Sequence, residues 1–535
     1  NINRFDIAAT VGWTGRYENM NNIRVSTNGG LVTENWFDLN ASRYTPSSTL
    51  QRMELLKTGY MGTLSLGWDN YLFLELTGRQ ERSSTLKDQS FFYPSANLSF
   101  LFTQAFHMPS WWNYGKLRLS YGIVGNAPET YTANIVYEQG SDNGFTWNTI
   151  PSSWGNADIH PEKKYEYEIG LESKFLNNRL GIDISYYNNR VKDQILSTPQ
   201  PSTSGVKNVL MNVGEVANRG WDISISATPI LTRDFRWDLT ANYGVYKNKV
   251  VKLADGVPYL EILNSGGSGI KIQAVEGQPM GDIYAQVPQV NENGEYLVSD
   301  KGLYLNQTEL QKVGNINPAG VGGLFNSFSY KNVFLDFSID FRIGGDVINE
   351  MNQYATAVGL TPESLKYRDT EHGGLSYYYP GDNNSSGIPV QVDPSTGAGP
   401  NGEIIYHDGI ILPGVVASTG ERNTRIIPAG YYYNTTYNWG TEAEQLTYRH
   451  SVFDNSYVKL RELTIGYQFP EKMISKLGLG RLSVSVFGRN LFYFYKALKN
   501  YDAESSVGTS WANQATVGSS TTATRSFGVS LRASF

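Results

Sequence analysis

The chain has 535 residues, a formal net charge of −6, no cysteine, 18% charged residues and 13% aromatic residues. Without cysteine there are no disulfides, thiolate metal centres or cysteine nucleophiles, and the acidic balance gives no basic footprint for nucleic acid. Charge falls below the ~25% of an average globular chain. The 36 tyrosines and 11 tryptophans suit a protein that meets a membrane interface, where amphipathic rings sit at headgroup level. A large secreted all-β domain would share that richness. No run of eighteen apolar residues occurs, so no transmembrane helix is predicted.

Taken in order, the elements read as strands. The first covers residues 4–15, and a long polar stretch follows to about Leu50. Strands at 55–68 and 71–82 flank a tight Asp69-Asn70 turn. Strands follow at 91–102 and 116–124, then a long loop over 125–164. In 165–175, Tyr165, Tyr167, Ile169 and Leu171 alternate with Glu166, Glu168, Gly170 and Glu172. Such period-two patterning puts one greasy and one wet face on a ribbon. Asn177-Asn178 is a hairpin signal, and Leu180, Ile182, Ile184 and Tyr186 carry the next strand. Further strands are read from Trp221 and from Phe235, before a very long loop at 249–320. Strands at 322–330 and 333–342 are joined by Lys331-Asn332, and the longest insertion spans 344–454. Strands at 457–469 and 482–491 precede a last loop and a terminal strand.

The final ten residues alternate without a fault. Phe527, Val529, Leu531, Ala533 and Phe535 lie on one face, and Ser526, Gly528, Ser530, Arg532 and Ser534 on the other. About fourteen strands are counted, and every second connection is short. Short turns on one side and long loops on the other are expected of a transmembrane antiparallel β-barrel with cramped periplasmic turns and free extracellular loops. In hydrocarbon every backbone polar group needs a partner, so such a sheet must close. On this reading Leu482, Val484, Val486, Phe527, Val529, Leu531 and Phe535 face lipid.

Several blocks then carry a family likeness. They are Lys116-Leu117-Arg118-Leu119-Ser120-Tyr121-Gly122 with Gly125-Asn126, Phe175-Leu176-Asn177-Asn178-Arg179-Leu180, and Asn212-Val213-Gly214-Glu215-Val216 with Asn218-Arg219-Gly220. Asn455-Ser456-Tyr457-Val458-Lys459-Leu460-Arg461, Gly488-Arg489-Asn490-Leu491-Phe492 and Tyr501-Asp502-Ala503-Glu504 continue the series to the terminal Phe535. In joint order and spacing the chain resembles the SusC/RagA-type TonB-dependent outer-membrane transporters of Bacteroidota. The resemblance implies a barrel of twenty-two strands, of which residues 1–535 would supply the last fourteen. The N-terminal plug domain, the TonB box and the first barrel strands would then lie outside this chain. It further implies a SusD-type lipoprotein partner, coupling to TonB–ExbB–ExbD through that N-terminal region, a glycan or peptide cargo, and the outer membrane of a Gram-negative bacterium.

Other chemistry is weakly signalled. Gly397-Ala398-Gly399-Pro400-Asn401-Gly402 matches GxGxxG, but Pro400 and a loop setting deny it the strand-to-helix context a nucleotide fingerprint needs. His107, His160, His372, His407 and His450 form neither HExxH nor an i, i+4 pair, so no metal site or zinc enzyme is read. Loop carboxylates such as those in 291–295 and Asp382-Asn383-Asn384 lack EF-hand spacing. Loop Ca²⁺ is therefore unsupported, and no cofactor is expected. No GxSxG or placed Ser/His/Asp set appears. Loop aromatics are the candidate contacts for cargo or partner: Trp147, Trp154, Tyr377, Tyr378, Tyr379, Tyr431, Tyr432, Tyr433 and Trp439. Exposed rings stack on sugars or bury apolar groups of peptides and proteins; the alternative role is a self-packed loop core. The expected function is active import of an oligomeric nutrient, not catalysis. A passive channel or adhesin is the first rival, and a secreted β-rich enzyme the second.

Overall fold

A computed structural model describes residues 4–87, 90–142, 145–199, 203, 205–265, 269–381, 387–438, 447–505, 510–518 and 523–534. Two compact units are present, Asn1–Trp221 with Asn248–Pro258, and Asp222–Lys247 with Tyr259–Phe535. Fourteen strands form one antiparallel sheet in chain order. They are β1 Phe5–Leu31, β2 Ser42–Trp68, β3 Leu72–Ser83, β4 Ser90–Phe100, β5 Trp112–Asn126, β6 Glu162–Phe175 and β7 Leu180–Lys192. Then come β8 Glu215–Leu231, β9 Phe235–Lys252, β10 Pro318–Tyr330, β11 Val333–Gly344, β12 Tyr457–Gln468, β13 Arg481–Lys496 and β14 Ser526–Ser534. The up-and-down order is the simplest way to satisfy successive strands with short turns.

The tight turns are built as the sequence predicts. Asp69 and Asn70 have φ of 53° and 60°, and Asn177 and Asn178 have 57° and 62°. Positive φ at both central residues is the hairpin geometry whose twist matches the strands, and after glycine Asn and Asp tolerate it best. One reading fails. The polar stretch expected as a loop before Leu50 is instead the outer half of a hairpin, with the register running from Phe5↔Trp68 to Leu31↔Ser42. Asn19, Asn21, Asn22, Arg24 and Ser26 are exposed on one strand, and Ser47, Ser48, Thr49, Gln51 and Arg52 on the other are largely so. With so many polar side chains the alternation is broken outside short runs such as Ile23–Ser26, yet the ladder needs only backbone groups.

The second unit holds a separate body built from three long insertions. Strands Ile270–Val275 and Asp282–Ala285 pair Ile272 with Ile283. These pack with Ile316, Ile348, Tyr448, Val452, Ala512 and Ala515 in one buried cluster. Side chains from three insertions, between 270 and 316, between 348 and 452 and at 512 and 515, thus share a core. Gly269 is required there, because a Cβ would fall 1.9 Å from the Tyr448 ring. A second cluster joins Leu303 to Ile410, Leu412 and Ile427. Loops of this length would be costly if solvated throughout; a shared core offsets the ordering entropy.

Candidate functional site

Apolar side chains of the strand wall share one exposed face. On β13 and β14 the register pairs Val484 with Leu531 and Val486 with Val529. All four are exposed, as is Phe527, while Leu482 is half-buried opposite Ala533. In the first unit Leu119↔Ile169 and Tyr121↔Tyr167 form the same kind of exposed pair. Phe535 lies outside the described residues. An apolar outer face of this kind in water would be a large aggregation-prone patch; against hydrocarbon it is the stable arrangement.

The opposite face is polar and internally paired. Arg118 reaches Asp183 at 2.7 Å, Glu172 at 3.6 Å and the Ser185 hydroxyl at 3.1 Å. Ser327 donates to Asp336 at 2.6 Å, and Arg489 meets Glu462 at 3.0 Å. At the short-turn end of the first unit a chain of ring contacts runs through Phe5, Trp68, Tyr71, Phe100, Phe102, Trp112 and Phe175. Rings concentrate at this level in membrane proteins because one edge prefers hydrocarbon and the other tolerates water.

The loop aromatics divide by burial, which corrects part of the candidate set. Tyr377 is 1% exposed, stacks on Tyr406 at 5.5 Å and donates to Asp408 at 3.1 Å. Tyr379 is buried beside it. Tyr433 is buried and donates to the Glu363 carbonyl at 2.8 Å. Tyr377 and Tyr379 pack with Ile426 in a buried cluster, and Tyr433 is buried on the helix Ala429–Tyr437, so these three are not surface platforms. Burial raises the Tyr377 hydroxyl far above its ordinary range, with the Asp408 charge adding to it. Tyr378, Tyr432 and Trp154 are half-buried; Tyr431 and Trp147 are exposed. Trp154 meets Tyr137 edge-on at 5.9 Å, and Trp147 lies across Gly140 on a two-stranded hairpin, Glu138–Asp142 with Phe145–Thr149. Trp439 lies outside the described residues, as does Asp382-Asn383-Asn384. Exposed rings that the alternation did not flag are Tyr131, Tyr137 and Phe145 in the same long loop.

The glycine motif at 397–402 neither follows a long strand nor opens a helix. It is a turn closed by Glu403, whose carboxylate accepts from the Asn401 N–H at 2.8 Å and the Gly381 N–H at 3.1 Å. Those bonds outweigh burial and hold the carboxyl at about 2. Among the described residues no group of three or more metal-ligating side chains is placed to hold an ion.

A denser cluster sits where the last loop meets β12 and β13. Glu504 accepts from Lys459 at 2.6 Å and from Arg461 at 2.9 Å, and Arg461 also reaches Asp340 at 2.5 Å. Burial pushes the Glu504 carboxyl up, but the bonds from Arg461 and Lys459 prevail and hold it at about 2. The Tyr501–Glu504 and Asn490 blocks of the sequence therefore have a physical role: they fasten the last loop to the wall. No single-residue signal marks Lys459, because its burial depends on a carboxylate 45 residues away.

The family model for the TonB dependent receptor-like β-barrel matches residues 2–283. The chain belongs to this family. Members are outer-membrane barrel receptors and transporters, and the apolar outer face described above is the surface such a barrel presents to lipid. Among curated relatives of this TonB-dependent receptor chain, TonB-dependent receptor P3 of Formosa agariphila is 24% identical over 494 residues, covering 84% of this chain and 42% of that protein. TonB-dependent receptor SusC of Bacteroides thetaiotaomicron is 30% identical over 247 residues, covering 42% of this chain and 24% of that protein. Among solved structures, the RagAB peptide importer in its 'open-open' state superposes with a TM-score of 0.69 at 18% identity, covering 99% of this chain and 53% of that one. That likeness establishes the barrel fold. The chain spans about half, or less, of the length of the proteins it matches.

Proposed function

We propose that this chain is the C-terminal barrel portion of an active importer that takes an oligomeric nutrient, a glycan or an oligopeptide, across the outer membrane. On this reading the plug domain, the TonB box and the preceding strands are supplied by sequence outside the chain. TonB–ExbB–ExbD energises the path through that region, and a SusD-type surface lipoprotein closes over the long-loop end. The carrying observation is the folded insertion body of the second unit, with its own buried core. A simple pore needs only short links between strands, whereas a body with a fixed surface can hold cargo or a lid. The relatives' names support the reading: one is SusC, and one solved neighbour is described as a peptide importer. Trp147 and Tyr431 are exposed and available for contact, as are Tyr131, Tyr137 and Phe145, and a stable lid would bury about 1,600 Å² in total.

The test uses the full-length protein in its own outer membrane. Purification in mild detergent should bring down a stoichiometric surface lipoprotein. Uptake of the nutrient on which the gene is expressed should stop when TonB is deleted. A barrel that comes out alone and passes solute equally without TonB would make it a passive channel.

A further inference from the structure

A cavity of about 550 Å³ opens at the long-loop end of β12 and β13, lined by Lys459, Asn490, Tyr493, Lys496, Asp502 and Arg525 among others. Its size is that of an ordinary small-ligand site. The strand beside it is irregular. The β12–β13 register shifts between Leu460 and Glu462, and Asn490 opposite takes φ of 53°. Bulges of this kind re-aim side chains and concentrate next to functional sites. Asn490 itself is held by the Thr524 carbonyl at 3.2 Å and by Arg461 at 2.9 Å.

The charges around the cavity do not balance. Lys459 and Lys496 both approach the Tyr493 ring, at 4.7 and 5.3 Å. Lys459 has Glu504 as its counter-ion. Lys496 has the Tyr501 carbonyl at 2.7 Å, and among the described residues no carboxylate is ion-paired with it or with Arg525. Asp502 lines the cavity, but its oxygens already accept from the Tyr493 hydroxyl at 2.5 Å, the Glu504 N–H at 3.1 Å and the Ala523 N–H at 3.1 Å. Lys459, Arg461, Lys496 and Arg525 thus stand against Asp340, Asp502 and Glu504. Asp502 attracts Lys496 through its charge, but over the group one positive charge is left over, and Lys496 and Arg525, which are in no close ion pair among the described residues, both line the cavity. Lys459 on the Tyr493 ring is neutralised by Glu504, so an anion held in the cavity would be attracted to both Lys496 and Arg525.

We propose that this cavity binds a carboxylate carried by the cargo, with Lys496 and Arg525 as the charge-assisted donors and the second amide N–H of Asn490 as a neutral one. The proposal rests on the importer reading and narrows it to acidic cargo. A singly charged group fits the surplus; a doubly charged phosphate would overfill it. The carboxylate has two sources, the free C-terminus of an oligopeptide or the acid group of a uronic sugar.

Calorimetry on the full-length protein in detergent separates them. Four probes are titrated: penta-alanine with a free C-terminus, the same peptide amidated, trigalacturonate, and maltotriose. One acid probe should bind, with its neutral counterpart weaker by about tenfold or more, the usual worth of a charge-assisted bond. Arg525 is exposed, so Arg525→Gln should fold normally and still weaken that acid about tenfold. Lys496→Met should do the same, and added salt should weaken binding in the parent but less in either variant. Binding of a neutral probe as tight as its acid would overturn the site, as would unchanged affinity in both variants or silence from both acids. The importer reading fails separately. An acid probe that binds a protein with no TonB-dependent uptake would sink the importer and leave the site. TonB-dependent uptake of a neutral cargo with no acid binding would do the reverse.

Discussion

The wall strands and the insertion body of the second unit are both made of β-structure, and they are turned opposite ways. On β14 the apolar positions point out, with Phe527 74% and Val529 72% exposed. In the body the paired Ile272 and Ile283 are fully buried. The same alternation rule operates in both, but the surroundings differ. In an outer-membrane barrel a wall strand has hydrocarbon outside and polar groups inside, so apolar side chains gain nothing by turning in. A body strand has water outside and must hide them. Exposure of an apolar residue therefore means opposite things in the two regions, and substitutions should separate them.

The largest effect is expected in the body. Ile283→Ala removes a fully buried side chain from a cluster fed by three insertions, and such truncations cost about 2–5 kcal/mol. Hydrogen exchange on the full-length protein should show faster exchange across 270–285, 316, 348 and 448–452, while β13 and β14 stay protected. Loss of protection in both would mean that wall and body melt as one.

Val529→Arg attacks the wall. A charge on the lipid face near midplane costs about 2–4 kcal/mol, and its neighbour Ser530→Arg, on the wet face, should cost little. Folded yield in outer membranes, read by heat-modifiable migration, should fall for the first and hold for the second. Equal yields would break the contrast and the register behind it.

A smaller effect is set by pH. The Glu403 carboxyl is held at about 2 by backbone N–H groups, below its ordinary value near 4.5. A folded value below the unfolded one stabilises at neutral pH, and that contribution is lost as pH falls from about 4.5 through about 2. Exchange at 381 and 399–403 should therefore rise over that window. Glu403→Gln should flatten the dependence and make the turn looser at pH 7.

How much of this was legible follows from the same contrast. The fourteen wall strands were readable because each keeps one apolar face over many residues. The outer half of the β1–β2 hairpin was not, since Asn19 and Asn21 interrupt the apolar face that Tyr17, Ile23, Val25 and Leu50 would otherwise mark. The body was hidden for another reason. Its strands are short, and its contacts join distant segments: Leu303 to Ile427, Thr447 to Asn306, and Ile348 to Thr516. Periodicity within a window cannot report such pairings. The tyrosine triplet at 377–379 held a usable clue. In a strand its first and third members share a face, and Tyr377 and Tyr379 are the buried pair while Tyr378 is not. The cluster at Lys459 and Glu504 had no local clue beyond the family blocks.

The smallest effect on stability should come from the exposed rings, and it is the most informative about contact. Tyr377 and Tyr431 are both loop tyrosines of the second unit, one buried in a ring cluster and the other on the surface. Truncating a buried aromatic costs about 3–5 kcal/mol, so Tyr377→Ala should loosen the body and reduce partner recovery only as a consequence. Surface substitutions stay within about 0.5 kcal/mol, so Tyr431→Ala, and Trp147→Ala in the first unit, should leave melting and exchange unchanged. Interface rings carry much area with few rotors, and removing one commonly costs more than 1 kcal/mol of binding. Recovery of a co-purifying lipoprotein should then drop for Tyr431→Ala or Trp147→Ala without any loss of fold. If partner recovery follows stability alone, falling for Tyr377→Ala and for neither exposed ring, the exposed rings are not the docking surface, and the lid must be held elsewhere on the long-loop end.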